Sequence, residues 1–536
     1  MGGGFTGILT ALSFKRHFSN HEVFLIDPGK EMQYPGLGLS MPGRSTALMM
    51  QALQVPSEQR QSLLHKWIKE TSSTIKLQFK FQDWSDKSYP GWLGNTPTQP
   101  SADVVKFPAM LTDALNQQVL NPDVTQYKLF DLWYELLQSG RRTWLDANGD
   151  TNHYHWYCKY HTVPESSVFN VLPTLHINSW DFGDWLKKNL AAELDRIFDT
   201  DIQSVNFSPD GAVDGVVLED GTKVKADYYI DCTGFRRVLG RALKSKFVRP
   251  VCLAPNNSAI VVGQGYSNQI DMEMHPYTIG YGMDFGWTNC IPMKHAKSYG
   301  YIYNNHWITQ DQALQELQKL GPSKNCIYQP EFFQWEPGYF QNSMDKNYAM
   351  IGISSGFYDA FESHNVGMQF SQLFKIIDYI KQASTDFVEP MSKDNYNYND
   401  ITQRSIQSLA QRLDFFMCLA PRNSSEYWRH NHDLGVKHNL LQRLYDKLND
   451  AEHHQTARKT KTYKAYPVHV YYNDGLHWGL DFSKRSRNSS QDMLELADAY
   501  FSSFNKLNQM RARMSPSIRQ YYQSFGVDLA ALQTLR

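Results

Sequence analysis

The residues of this chain whose spacing most plainly implies chemistry are glycines. Gly2-x-Gly4-x-x-Gly7 opens the sequence, and Asp27 follows at the end of the next apolar run. Glycines so spaced allow a tight turn, close approach of backbone to a pyrophosphate, and close packing of a helix whose free N–H groups face the phosphates. A carboxylate about 20 residues on accepts a hydrogen bond from a ribose hydroxyl; before Pro28, Asp27 also reads as a plain turn residue. A second run, Gly352-Ile353-Ser354-Ser355-Gly356-Phe357-Tyr358-Asp359, has two readings. Its Gly-x-Ser-x-Gly core matches the strained turn that exposes a hydrolase serine, here Ser354. Alternatively, it offers backbone N–H groups to a dinucleotide. His153-x-His155-x-x-Cys158-x-x-His161 has metal-binding residue types. Its spacing matches no standard zinc pattern, and in a strand Cys158 would point away from the first two histidines. No metal site is expected.

These groups need elements to position them. Ile8 to Phe18 reads as a helix and Glu22 to Ile26 as a strand, so glycine turn, helix, strand and acid form a Rossmann half-unit. The strand that should precede the fingerprint is nearly absent, since Met1 directly precedes Gly2. The expectation is that the native chain starts upstream, which an intact mass would check. Residues 45–84 read as helical, passing into the alternating run Lys76 to Phe81. Residues 89–105 read as a loop and 106–150 as mainly helical. A helix is predicted over Ser179–Ile197. A β-meander follows over 201–231, turning at Asp210-Gly211 and Asp220-Gly221 and closing on Ile230-Asp231-Cys232-Thr233-Gly234-Phe235-Arg236. Strands continue to about 304. Tyr348–Ile353 reads as a buried strand leading to a helix near Phe370–Gln382. From about 392 the chain reads as helical, with 451–464 as a polar loop or linker.

Composition narrows the class. A net charge of −1 gives no basic footprint for nucleic acid or an anionic membrane. The six cysteines form no close pair, which fits reduced thiols. There is no leader-like start and no apolar run of about 20 residues, so a soluble cytoplasmic protein is expected. Aromatics are 14% of the chain, enough for a wide apolar cavity, a flat ligand or simply a bulky core.

The glycine fingerprint, the Asp231–Arg236 strand-turn and the Gly352–Asp359 run together follow the pattern of large FAD enzymes. With Lys76-x-x-x-Lys80-Phe81-x-x-Trp84, Gly286-Trp287…Ile291-Pro292, Gly300-Tyr301-Ile302-Tyr303, Phe361-Glu362-Ser363, Asp414-Phe415-Phe416 and Glu426-Tyr427-Trp428-Arg429, the chain resembles FAD-dependent halogenases of the tryptophan-halogenase type over nearly its whole length. The resemblance implies that FADH2, supplied by a separate NAD(P)H-dependent flavin reductase, reacts with oxygen and halide to give hypohalous acid. That acid travels a tunnel lined by Trp287, Ile291 and Pro292 to Lys76 and Glu362, beside a small aromatic substrate. It implies FAD contacts at Gly2, Gly4, Phe5, Thr6, Gly7, Asp27, Gly38, Gly352, Phe357 and Asp359, a halide site at the N–H groups of His364 and Asn365, and substrate contacts at Tyr427 and Trp428. His176 falls where the family places a histidine near the active-site face; a hydrogen-bonded core histidine is the alternative. The residue types suit the task. An ammonium can hold hypohalous acid, a free amine can take up its halogen, and a carboxylate can remove the ring proton.

The chain also departs from the family pattern. Asn289 stands where a second tryptophan is common, Gly38-Leu39-Ser40-Met41 replaces Gly-Glu-Ala-Thr, and Asp359–His364 replaces Glu-Pro-Leu-Glu-Ser-Thr. The run Phe416–Asn423 lacks the tyrosine pair and glutamate that hold an amino-acid head group. Free tryptophan is therefore not expected to be the natural substrate, and a looser halide site would favour bromide or iodide over chloride. The fold expected is α/β. A Rossmann-like FAD module of the GR2 flavoprotein type with added β-sheet takes 1–105 and 155–385, and a mainly helical substrate-covering module takes 106–154 and 386–536. A homo-oligomer is compatible with this reading. Competing readings are an FAD-dependent aromatic hydroxylase and a serine hydrolase built on Ser354.

Overall fold

The computed structural model describes residues 1–29, 38–86, 92–93, 131–143, 146, 149–150, 152, 154–164, 173–267, 269–320, 326–327, 329–383, 398–449, 474–475, 478, 480–482 and 489–532. The polar stretch 451–464 lies outside the described residues. So do 89–105 and 106–130, apart from the short strand Trp92–Leu93.

Helix α1 (Phe5–His17) begins directly at the glycine turn and leads to strand β1 (Phe24–Ile26). The first residues occupy the place of a strand. The Met1 ammonium donates to the Ile230 carbonyl, Cys232 N–H donates to Met1, and Gly2 N–H donates to Ile26. Strand β2 (Gly38–Ser40) comes next. The alternating run 76–81 is not one strand: β3 (Thr74–Lys76) ends at Leu77 and β4 (Gln78–Gln82) joins another sheet. Leu77 N–H donates to the Pro276 carbonyl at this break. Strand β5 (Thr174–Asn178) pairs antiparallel with both β2 and β3.

Asn178 caps helix α2 (Ser179–Leu190) by accepting from Trp180 and Asp181 N–H. The helix predicted to reach Ile197 stops seven residues short. Residues Arg196–Phe198 form strand β6, parallel to β1, because that pairing satisfies the backbone of the half-unit's open edge. The expected meander is present as Ile202–Phe207, Val213–Leu218 and Lys223–Val224.

The largest sheet has seven strands. Its centre is β7 (Tyr277–Met283), β8 (Gly286–Pro292) and β9 (Lys297–Tyr303), antiparallel neighbours, with β4 parallel to β7. Cys290, Tyr299 and Tyr301 point to one face, beneath Ala313 and Leu317 of the helix Gln310–Lys319. Trp287 and Ile291 point to the other, toward the site. Strand β10 (Tyr348–Met350) runs parallel to Tyr229–Asp231 and leads into helix α3 (His364–Ala383). Helices α4 (Tyr398–Leu419), α5 (Glu426–Lys437) and α6 (Gln491–Met514) bear out the helical C-terminal part. One apolar cluster draws together Phe79, Trp133, Trp287, Phe416, Trp478 and Phe501, so both halves of the chain share a core. Among the described residues, no helix is long and apolar enough to cross a membrane.

Candidate active site

The glycine turn has the shape its spacing predicts. Gly2 has φ +94°, a left-handed conformation that favours glycine. A Cβ on Gly7 would fall 1.6 Å from the Gly2 carbonyl oxygen, so the helix start packs directly on the turn. Gly4, which precedes the helix, would meet nothing within 4 Å and has no side chain capping the free N–H groups. That combination of open space and free donors suits a phosphate. Thr6 Oγ1 donates to Gln369 and Gly352 N–H to Gln372, so α3 ties the Gly352 turn to the fingerprint. Asp27 lies at the strand end as expected, with its carboxylate 2.6 Å from Lys187 Nζ. The residues present fit FAD at the fingerprint. Phe5, in contrast, turns inward onto Phe182, leaving only its backbone for the coenzyme.

Trp287 and Ile291 sit four residues apart on one face of β8, about 13 Å along the strand. Trp287 is fully buried, edge-on to Phe361, and donates to Asp359 Oδ1 at 3.2 Å. The Asp359 side chain faces protein, which leaves only its backbone for a coenzyme. Its carboxylate is buried and also accepts from Asn256 and Phe361 N–H. Burial raises its pKa to about 7, against the pull of these donors. At the other end, Ile291 packs under Gly38, whose N–H donates to Ser298 Oγ, and the Pro292 carbonyl accepts from Thr74. Gly38 thus lies over β8, and its N–H is not free for a coenzyme. Phe357 packs edge-on to Phe235 and Trp335.

Lys76 ends β3 with its side chain 2% exposed, rather than on a solvated strand edge. Its Nζ donates to the Met41 carbonyl at 2.7 Å. Burial drives its pKa from 10.5 down to about 7, while the charge of Glu362 pulls it back up. Glu362 comes from the short turn Phe361–Ser363 ahead of α3, where it and Ser363 both hold left-handed backbone, φ 49° and 56°. Two adjacent non-glycine residues in that region are strained, a feature that clusters at functional sites. Glu362 also accepts from Arg412, at 3.2 Å from Nη2 and 3.4 Å from Nε. Arg412 is buried on α4, 2.5 Å from Asp474 and stacked on Phe416. Neither Arg412 nor Asp474 stands out in the sequence as a site residue. A signal was present: Arg412 shares a helical face with Leu409 and Phe416, where a cation needs a buried partner.

Other expected residues sit elsewhere. Tyr427 and Trp428 are buried in the core, Trp428 edge-on to Trp84 with its indole N–H on the Met283 carbonyl. They are packing residues, because α5 lays its apolar face against α4. His176 is buried between Thr74 and Thr278, and burial holds it neutral. The His364 ring bonds Ser405 Oγ, and Asn365 Nδ2 donates to the Asp359 carbonyl. Their backbone N–H groups open α3 immediately after Glu362. Ser354 Oγ is buried and donates to the carbonyls of Asp231 and Ile351, so it is not a poised nucleophile. His155–Tyr160 is a helix, not a strand.

A family model described as tryptophan halogenase matches residues 1–471. Tryptophan 7-halogenase KtzQ of Kutzneria sp. is 26% identical over 41% of this chain and 40% of its own length, so the aligned part is less than half of that relative. Tryptophan 6-halogenase SttH of Streptomyces toxytricini is 24% identical over 83% of this chain and 82% of that protein. Its crystal structure superposes with a TM-score of 0.77 at 20% identity, covering 98% of each chain. BrvH, a flavin-dependent halogenase from Brevundimonas sp. BAL3, gives 0.72 at 19% identity, again over 98% of each chain.

Proposed function

This chain belongs to the tryptophan halogenase family, and we propose that it halogenates an electron-rich aromatic compound other than free tryptophan, with Lys76 and Glu362 at the point of transfer. FAD, when bound in reduced form, supplies with oxygen the two-electron oxidation that turns halide and a proton into hypohalous acid and water. The chain's own residues do the rest. The free N–H groups around Gly4 hold the coenzyme phosphates. The N–H groups of His364 and Asn365, at the positive end of α3, hold the halide. Trp287 and Ile291 line an apolar route that keeps competing nucleophiles from the oxidant.

At its end Lys76 takes hold of the oxidant. As ammonium it donates a hydrogen bond; as free amine it accepts the halogen. An amine with a pKa of about 7 can do either at neutral pH. The halogen then bonds to the ring carbon. Either its bond to oxygen breaks and the departing hydroxide takes a proton from the Lys76 ammonium to leave as water, or its bond to the Lys76 nitrogen breaks and the amine is regenerated, water having left when the haloamine formed. In both cases Glu362 takes the displaced ring proton. The observation that carries this reading is the fully buried Lys76 amine, with Glu362 the charge that favours its protonated form among the described residues.

The substrate proposal is supported by the run Phe416–Asn423. Phe416, Met417, Cys418 and Ala420 are core, and Arg422 is spent on Asp284. A free amino-acid head group finds no tyrosine pair or carboxylate in that run. The altered residues Asp359–His364 beside the proposed halide site support the less strongly hydrated bromide or iodide over chloride.

The test is incubation with a flavin reductase, NADH, FAD and each halide against phenols, indoles, pyrroles and free tryptophan, read by mass. A halide-dependent product with bromide above chloride is expected. Hydroxylated product without halide would replace this reading with the hydroxylase, and efficient regioselective turnover of free tryptophan would overturn the substrate proposal.

A further inference from the structure

The buried cation Arg412 has no role in the reaction described so far. It is 1% exposed, as is its partner Asp474, and the remaining face of its guanidinium meets Glu362 through two nitrogens. A buried guanidinium between two carboxylates costs desolvation, so replacing all three by apolar residues would suit stability equally well. The arrangement is better explained by what it does to Glu362. That carboxylate stands in a strained left-handed turn; among the described residues Arg412 from α4 pairs with it directly, and Lys76 from β3 feels its charge without an ion pair. His176 from β5 and His364 from α3 also lie close by, and burial keeps both neutral, His364 at about 4. The charged chain is therefore Lys76, Glu362, Arg412, Asp474.

We propose that Arg412, braced by Asp474, is a positioning residue that holds both oxygens of the Glu362 carboxylate and keeps them off the Lys76 amine. It aims that carboxylate and prevents Glu362 from closing on the amine. The inference rests on the assignment of Lys76 and Glu362 as the transfer pair. A tight Lys76–Glu362 pair would be a poor transfer site. The amine would stay protonated, and the carboxylate would be occupied when the ring proton must leave. Arg412 is fixed by packing on Phe416 and by Asp474, so it can oppose that collapse without moving.

The test uses the full chain with reductase, FAD, bromide and the best aromatic found above. The readouts are halogenated product per flavin oxidised and the pH dependence of product formation. In Arg412→Gln, the limb set by Lys76 should move up by about one pH unit, as the released Glu362 closes on the amine. Product per flavin should fall about tenfold or more while flavin oxidation continues. Arg412→Lys, which keeps the charge, should recover part of the yield and most of the pH profile. Asp474→Asn leaves Arg412 uncompensated and should move the limb the other way. It serves as the decisive variant if Arg412→Gln fails to fold. Unshifted limbs in Asp474→Asn and in folded Arg412→Gln, with yield per flavin unchanged, would overturn the proposal. Lys76→Ala separates the two failures: if it retains halogenation, the transfer pair itself is wrong. If it is inactive while the Arg412 variants match the parent, only the role of Arg412 is wrong.

Discussion

Gly4 faces open space at the start of α1, whereas Lys76 is walled in beside β5 with its amine on the Met41 carbonyl. The first region works by leaving matter out: no Cβ, no capping side chain, donors left unpaired for a ligand to use. The second works by crowding, taking a charge out of water so that its proton becomes easy to lose. A vacancy can be coded locally, by a few residues of one type at fixed spacing. A crowded charge needs contributions from β3, β5, the turn at Glu362 and α4. Substitution should therefore act differently in the two regions: at the cradle every added methyl should weaken coenzyme binding and cost stability only where it meets backbone, and at the lysine loss of activity should come with a gain in stability.

The largest effect should be at Lys76. Replacement by methionine should lower halogenated product by about 10²–10⁴-fold while flavin oxidation continues. The same change should stabilise the protein. The amine has a pKa of 10.5 when unfolded and about 7 when folded. Between those values the unfolded chain binds more protons, so parent stability rises with pH across that window. Below about pH 7 the full penalty applies, of order 5 kcal/mol at about 1.4 kcal/mol per unit. Lys76→Met should thus be more stable than the parent at about pH 6, with the difference fading toward about pH 10. Denaturant midpoints at the two pH values measure this, and equal midpoints at low pH would mean the amine is solvated.

Within the cradle, Gly7→Ala and Gly4→Ala should diverge. The added methyl at Gly7 lands 1.6 Å from a backbone oxygen and at Gly4 meets nothing. Overpacking at Gly7 should cost about 1–3 kcal/mol and abolish tight FAD binding. Gly4→Ala should leave the melting temperature near the parent value and weaken only FAD, read by flavin fluorescence titration. Equal loss of stability in both would remove the distinction between space and packing.

The two regions were also unequally legible in the sequence. The fingerprint, its helix, Asp27 and the meander turns can be read locally, because turn geometry and strand edges depend on near neighbours. Lys76 and Lys80 read as one strand face, yet the chain breaks at Leu77 and sends them to different sheets. That break is made by a hydrogen bond to Pro276, which no local pattern encodes. Asp359 reads as a cofactor contact from the family pattern; in the fold its carboxylate braces Trp287 and Phe361. Tyr427 and Trp428 read as binding residues from the family pattern, but the packing of α5 on α4 turns them into core. Arg412 reads as one more helical cation until Asp474 and Glu362 are brought to it.

The smallest effect should be at Ser354, which belongs to the glycine-built side of the comparison but whose side chain faces protein. Its hydroxyl donates to the Asp231 carbonyl at 2.5 Å and the Ile351 carbonyl at 2.7 Å, both buried. Ser354→Ala removes one donor and leaves two carbonyls, each with another lone pair, so the cost should be about 1 kcal/mol. A hydrolase nucleophile would need a free hydroxyl and a nearby base, and losing it would end turnover. Halide-dependent product formation by Ser354→Ala should instead stay close to the parent, with only a lower melting temperature. Complete loss of activity in a folded, FAD-binding variant would mean that this turn acts through its side chain after all, and that the division between a cradle of backbone and a pocket of charges is drawn in the wrong place.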